Sequence, residues 1–211
     1  EDAPDLAAKI VQRAVNKVPL AMHEYEPDGV YPEGPSYWRY GTTYNVILIA
    51  ALDSVLGEDF GLAEAGGFMK SPEFYLHATG PTGLYFNFSD CGSRGGPAPA
   101  MYWFAQQRNA PSLLWREKEM LKAWAAKAPG AHGSVDRMLP LLLLWGRSVA
   151  DIPAPDTLHW QGDGPNPVAM HRTGWTDDAT YVGIKGGKPG NNHGHMDTGS
   201  FVLAMDGVRW A

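Results

Sequence analysis

Apolar residues recur at helical spacing through the first two-thirds of the chain, then give way to short runs of aromatic and β-branched residues. Leu6, Ile10, Ala14 and Val18 predict an N-terminal helix that stops near Pro19. Pro32-Glu33-Gly34-Pro35 predicts a turn, with Ser36 as N-cap of a long helix over 37–56. Its apolar face holds Val46, Ile47, Ala50, Ala51 and Val55, and Gly57 closes it. Pro72 suits the first turn of a third helix over 71–79. Further helices are expected over 100–107, 112–128 and 135–145, broken by Pro111, the Pro129-Gly130 pair and Gly133.

After Ile152-Pro153-Ala154-Pro155 the period changes to that of strands, expected over 157–161, 168–172, 180–185, 200–205 and 208–211. Gly162-Asp163-Gly164-Pro165-Asn166 separates two of them, and Asp206-Gly207 is a strong hairpin signal. Helices followed by strands predict an α+β chain with an antiparallel sheet, not an alternating fold. We place a helical domain at 1–152 and a β domain at 153–211. No repeat of fixed period stands out, although paired antiparallel helices would suit a helical toroid. The chain starts Glu1-Asp2-Ala3-Pro4, without the basic and apolar stretches of a signal peptide, and Val208-Arg209-Trp210-Ala211 reads as a strand cut short. The expectation is a piece of a longer protein.

Composition narrows the functional classes. An apolar fraction of 44% over 211 residues excludes general disorder. Eight Trp, nine Tyr and seven Phe fill cores, and such rings also line sugar-binding clefts. A net charge of −6 without a basic run argues against nucleic acid as the partner. The longest apolar run, 139–145, contains Pro140 and is too short to insert in a membrane. Cys91 is the single cysteine, so no intrachain disulfide or all-Cys metal site is possible, and cytosol and periplasm both remain open. Phosphate-loop, serine-elbow and His-Glu-x-x-His motifs are absent from the sequence.

Three strings carry candidate chemistry. In Asn192-His193-Gly194-His195-Met196-Asp197, ligand-capable side chains recur at every second position and would project to one side of extended backbone. His193 and His195 suit a general base, a donor to a carboxylate or metal ligands, with Asp197 orienting a histidine. A metal site needs three or four ligands, and two or three are visible. The second string places Tyr37, Tyr40 and Tyr44 along one helical stripe after Glu33, which predicts a polar, partly wet cleft. The third, Gly80 through Gly92, puts Tyr85, Asn87, Asp90 and Cys91 in a Gly-flanked loop amid helices. Nothing beside Cys91 marks it as an activated nucleophile. Arg94 and Arg108 are available to an acidic substrate or to structural pairing.

Together these strings resemble the heparinase II/III-like polysaccharide lyases. The run from Asn192 to Leu203, then Gly207 to Ala211, is similar to the start of that family's β domain, and Tyr31 to Gly41 with the Tyr85 loop is similar to its helical cleft. The resemblance implies an incomplete (α/α) toroid followed by the first strands of an antiparallel β-sandwich. It implies β-elimination on an acidic, uronic-acid-containing polysaccharide or oligosaccharide, in the periplasm or outside the cell. Tyr85 would be the leading base/acid, with Tyr40 and Tyr37 behind it and His193 facing substrate. Glu33, Trp38, Asn87, Asp90 and Asn192 would bind substrate. His195 would match a ligand of a structural zinc whose other ligands lie beyond Ala211. The family's helical-domain histidine has no secure match, because His23 and His77 sit in no convincing motif. A carbohydrate-binding protein without chemistry, and a metal-dependent hydrolase, are the competing classes.

Overall fold

A computed structural model of the chain describes residues 3–126, 137–146, 148–188 and 190–211. Among these residues six helices precede one five-stranded sheet, an α+β order. They are α1 (Pro4–Met22), α2 (Pro35–Leu56), α3 (Ser71–Ala78), α4 (Pro99–Gln107), α5 (Trp115–Ala125) and α6 (Leu142–Trp145). The strands β1 (His159–Gly162), β2 (Val168–Arg172), β3 (Tyr181–Lys185), β4 (Phe201–Met205) and β5 (Val208–Arg209) form an antiparallel meander in sequence order. The change from helix to strand falls between Trp145 and His159.

Several expected helix details are corrected. The first helix continues through Pro19, because its inward stripe is Val11, Val15, Val18 and the fully buried Met22, whereas Leu6 and Ile10 are exposed. The long helix starts at Pro35 with Gly34 as N-cap, so Ser36 is inside the first turn and caps nothing. Its buried stripe is Trp38, Thr42, Val46, Ile49 and Leu52, while Val55 faces outward. Gly57 ends it in the left-handed region, as expected. The stretch expected as one helix over 112–128 is a 3₁₀ turn at Pro111–Leu114 followed by α5. Of the helix expected over 135–145, the described part, 137–145, is a turn and the short α6. Residues 127–136, with the Pro129-Gly130 and Gly133 breakers, lie outside the described residues.

The strand reading fits closely. β2 has the expected bounds, β1 starts two residues late and runs one further into Gly162 of the expected turn, and the others start or end one or two residues inside theirs. The Asp206-Gly207 turn has positive φ at both positions, which the tight hairpin between β4 and β5 requires. Alternation turns Val168, Met170, Arg172, Tyr181, Gly183, Lys185, Val202 and Ala204 toward the helices. Arg172 Nη2 donates to the carbonyls of His77 and Thr79 at the end of α3, and the Tyr181 hydroxyl donates to the His77 carbonyl. Phe86 packs against Gly183, where a Cβ would come within 2.7 Å of its ring. Helical and strand residues therefore share one buried cluster, centred on Trp38, Tyr75, Phe104 and Phe68.

Candidate functional site

The β3–β4 connection carries the histidine string; two contacts brace it within the β half and a third ties it to the helical half. At its base the buried Lys185 pairs with Asp197. Thr198 Oγ1 donates to the Gly187 carbonyl at 2.9 Å. Asn191 donates to the side chain of Asn166, and Asn166 donates to the Pro32 carbonyl at 2.6 Å. A buried amide thus ties the histidine loop to the turn before α2, close beside Glu33. Pro189, within the loop, lies outside the described residues.

The loop is made of turns and bends rather than extended strand, so alternation is not what aligns the histidines. Both converge on one carboxylate. Asp90 Oδ2 accepts from His193 Nδ1 at 2.7 Å, and Oδ1 accepts from His195 Nε2 at 2.8 Å. These two hydrogen bonds hold the Asp90 carboxyl below its ordinary range, against a small opposing effect of burial. With Nδ1 donating, His193 is left with Nε2 as its basic nitrogen, a tautomer set by the carboxylate partner. Tyr37 stacks on the His193 ring with centroids 4.9 Å apart. Asn192 donates to Glu33 Oε1 at 2.7 Å. Ser89 and His193 both have positive φ, a strained choice for side-chain-bearing residues, on either side of the Asp90–His193 contact.

The structure therefore brings together Glu33, Tyr37, Asp90, Asn192, His193 and His195. Four other candidates sit elsewhere. Trp38 is fully buried between Tyr75 and Phe104. Tyr40 is exposed and packs edge-on against Tyr44, so only Tyr37 of the tyrosine stripe meets the histidines. Asn87 accepts from Arg209, which also donates to the Tyr85 carbonyl. The Tyr85 side chain is buried, with its hydroxyl 2.7 Å from that of Tyr75 and its acidity weakened by burial. Gly95 closes over that hydroxyl: a Cβ there would stand 1.7 Å from the oxygen.

Two pairings escaped sequence reading. Asp197 pairs with Lys185 and orients no histidine, because the inward alternation of β3 leaves that lysine buried and in need of a carboxylate. Asp90 does the orienting instead, across about a hundred residues of sequence, and no local signal marks it. Arg108 is taken up structurally by Glu73 and the Met69 carbonyl. Cys91 is buried, its thiol pushed up by burial, and its sulfur accepts from the Ser36 backbone N–H at 3.3 Å. His23 pairs with Glu26 on the surface. His77 is buried beside Trp160 and Trp175, and burial lowers its pKa to about 3.

Among the described residues no group of three or more His, Cys, Asp or Glu is arranged to hold a metal ion. Asp90 holds His195 Nε2 and leaves Nδ1 free to ligate, so His195 fits one ligand of the expected zinc, whose other ligands are expected beyond Ala211. No helix among the described residues is long and apolar enough to cross a membrane.

No family model matches the chain, and no curated protein matches it in sequence. A solved structure does match in fold. It is a mutant of the heparan sulfate lyase HepC from Pedobacter heparinus, with a TM-score of 0.64 and 16% identity. The match covers 95% of this chain and 27% of that one, so the chain spans about a quarter of the lyase's length. At that identity the likeness is one of fold alone.

Proposed function

We propose that this chain forms part of the substrate cleft of a polysaccharide lyase that cleaves a uronic-acid-containing glycan by β-elimination. The observation that carries the proposal is the Asp90-oriented His193, exposed on the junction of helices and sheet in a lyase-like fold. In this reading the helices belong to an incomplete (α/α) toroid and the sheet opens an antiparallel β-sandwich. The protein acts in the periplasm or outside the cell.

The proton at C5 of a uronate is weakly acidic, so removing it needs a base and a partner for the carboxylate. His193 Nε2 takes the C5 proton while Asp90 stabilises the imidazolium that forms. The Asn192 amide, fixed by Glu33, donates its second N–H to the uronate carboxylate and holds the charge of the enolate-like intermediate, while His195 holds Asp90 in place. The electron pair left at C5 becomes the C4–C5 double bond as the C4–O4 bond breaks. Tyr85 protonates the departing O4. Burial keeps that phenol protonated, which suits an acid better than a base. It reaches substrate only once the segment bearing Gly95 moves off its hydroxyl. The proton gained by His193 then returns to Tyr85 through solvent. No step uses a metal.

The enclosed Tyr85 hydroxyl favours a second reading, a carbohydrate-binding protein that keeps the cleft without the chemistry. The two part when the full-length protein is incubated with heparan sulfate, heparin, alginate and their carboxyl-reduced forms. A lyase raises the ultraviolet absorbance of unsaturated uronate on at least one acidic polymer and on none of the reduced ones. Binding with no absorbance rise across the set overturns the lyase. Products without a double bond, formed only until a chelator is added, would indicate a metal-dependent hydrolase.

A further inference from the structure

A cavity of about 440 Å³ lies beside the sheet, lined by Thr82, Arg94, Gly95, Arg116, Trp124 and Asp177. None of its lining residues belongs to the histidine cluster. One face of α5 forms its wall, since Arg116, Met120 and Ala123 recur at helical spacing, with Trp124 adjacent. Gly95 separates it from the Tyr85 hydroxyl.

The cavity has an under-satisfied cation at its wall. The Arg116 side chain is 7% exposed, and its Nε and Nη2 make no hydrogen bond. Its ion pair is with Asp177, 3.5 Å away on a side chain that is 86% exposed. A carboxylate so solvated gives a buried guanidinium little compensation. A second buried guanidinium, Arg172, stacks on the same Trp175 ring, 3.8 Å from its centroid against 6.0 Å for Arg116. Arg172 bonds two backbone carbonyls through Nη2, which bring no full charge, and its Nε and Nη1 also make no hydrogen bond. Arg94 adds a third positive charge at the exposed rim. The acidic Glu119 also lines the wall, but it pairs with Lys122 at 3.2 Å. Buried positive charge behind a low-dielectric wall focuses its field into the cavity. Thr82 supplies a hydroxyl with no partner, and the Trp124 ring supplies a flat apolar face.

We propose that this cavity is a second glycan subsite, which binds an anionic sugar unit through its carboxylate or sulfate group. Arg116 is the buried anchor, Arg94 closes on the anion from the rim, and Trp124 packs against the sugar ring. The choice of a glycan rests on the lyase reading, whereas the demand for an anion rests on the arginines alone. Because Gly95 backs onto Tyr85, a sugar held here lies next to the group assigned to protonate O4.

Calorimetric titration of the full-length protein with three uronate oligosaccharides tests the proposal: one sulfated, one desulfated and one carboxyl-reduced. The wild type is expected to lose affinity with whichever anionic group it recognises, which separates sulfate from carboxylate. Arg94→Ala, a surface change, is expected to weaken that anion-dependent binding by about tenfold. Arg116→Lys keeps charge in the buried position and is expected to weaken it less than Arg116→Met, with circular dichroism confirming that each is folded. Equal affinity of wild type and Arg94→Ala for every oligosaccharide overturns the subsite, even if elimination is observed. Arginine-dependent binding without unsaturated product upholds the subsite and overturns only the lyase reading.

Discussion

Replacement of Glu117 by glutamine is expected to stabilise the chain at pH 8 and to change it little at pH 5. Glu117 is fully enclosed at the start of α5, with Oε2 accepting from the Ala98 N–H at 2.8 Å and Oε1 unpartnered. Burial raises its pKa from 4.5 to about 8, against the lowering effects of the Ala98 N–H and Arg39. Between those two values the folded chain keeps a proton that the unfolded chain has released, so stability falls as pH rises through that window. The contribution is fully present below about 4.5 and gone above about 8. At about 1.4 kcal/mol per pH unit, the three units from pH 5 to pH 8 amount to roughly 4 kcal/mol. That is a large share of the roughly 5–15 kcal/mol that holds a domain folded. Glutamine keeps the acceptor for Ala98 and has no proton to lose. Urea unfolding of both proteins at half-unit pH steps gives the difference directly, and other titrating groups cancel in it. A difference that stays flat within about 1 kcal/mol from pH 5 to pH 8 would refute the assignment of a buried, protonated carboxyl.

Two further predictions follow from the core. His77 is held neutral by burial first and by Arg172 second, with its pKa lowered to about 3. Its contribution is complete above the ordinary histidine value of 6.5 and is lost as pH falls toward 3; wild type should lose about 2 kcal/mol relative to His77→Gln between pH 6.5 and pH 5, read from urea midpoints. Gly67→Ala should cost more than about 2 kcal/mol by the same measurement, because φ is +75° and a Cβ would stand 1.9 Å from the Tyr25 carbonyl oxygen, which is backbone and cannot swing aside.

The strands were legible because their sheet buries one face, so a period of two survives in the sequence. Asp206-Gly207 was legible because its turn needs positive φ twice. The inward face of α2 was not, because apolar residues surround that helix and Thr42 takes an inward position by bonding the Tyr25 hydroxyl at 2.8 Å. Periodicity places Arg172 and Lys185 inward but cannot show what they meet: carbonyls at the end of α3 for the Nη2 of one, Asp197 for the other. At the candidate site, the chemical types were visible and their partners were not. His193, His195, Tyr37 and Glu33 stood out as residues, while the carboxylate that gathers both histidines comes from the Tyr85 loop, and the amide that docks them comes from Asn166. Such contacts depend on tertiary placement that no local pattern encodes.

The central claim is that His193 and Tyr85 move the protons of an elimination. Its most direct test is the initial rate of unsaturated-uronate formation by the full-length protein and by His193→Ala, Tyr85→Phe and the double variant, on a polymer that the wild type cleaves. Loss of a general base or acid costs about 10²–10⁴-fold, so each single variant should fall by at least a hundredfold and the double variant should show no measurable rate. Elimination that survives in the double variant would contradict the account.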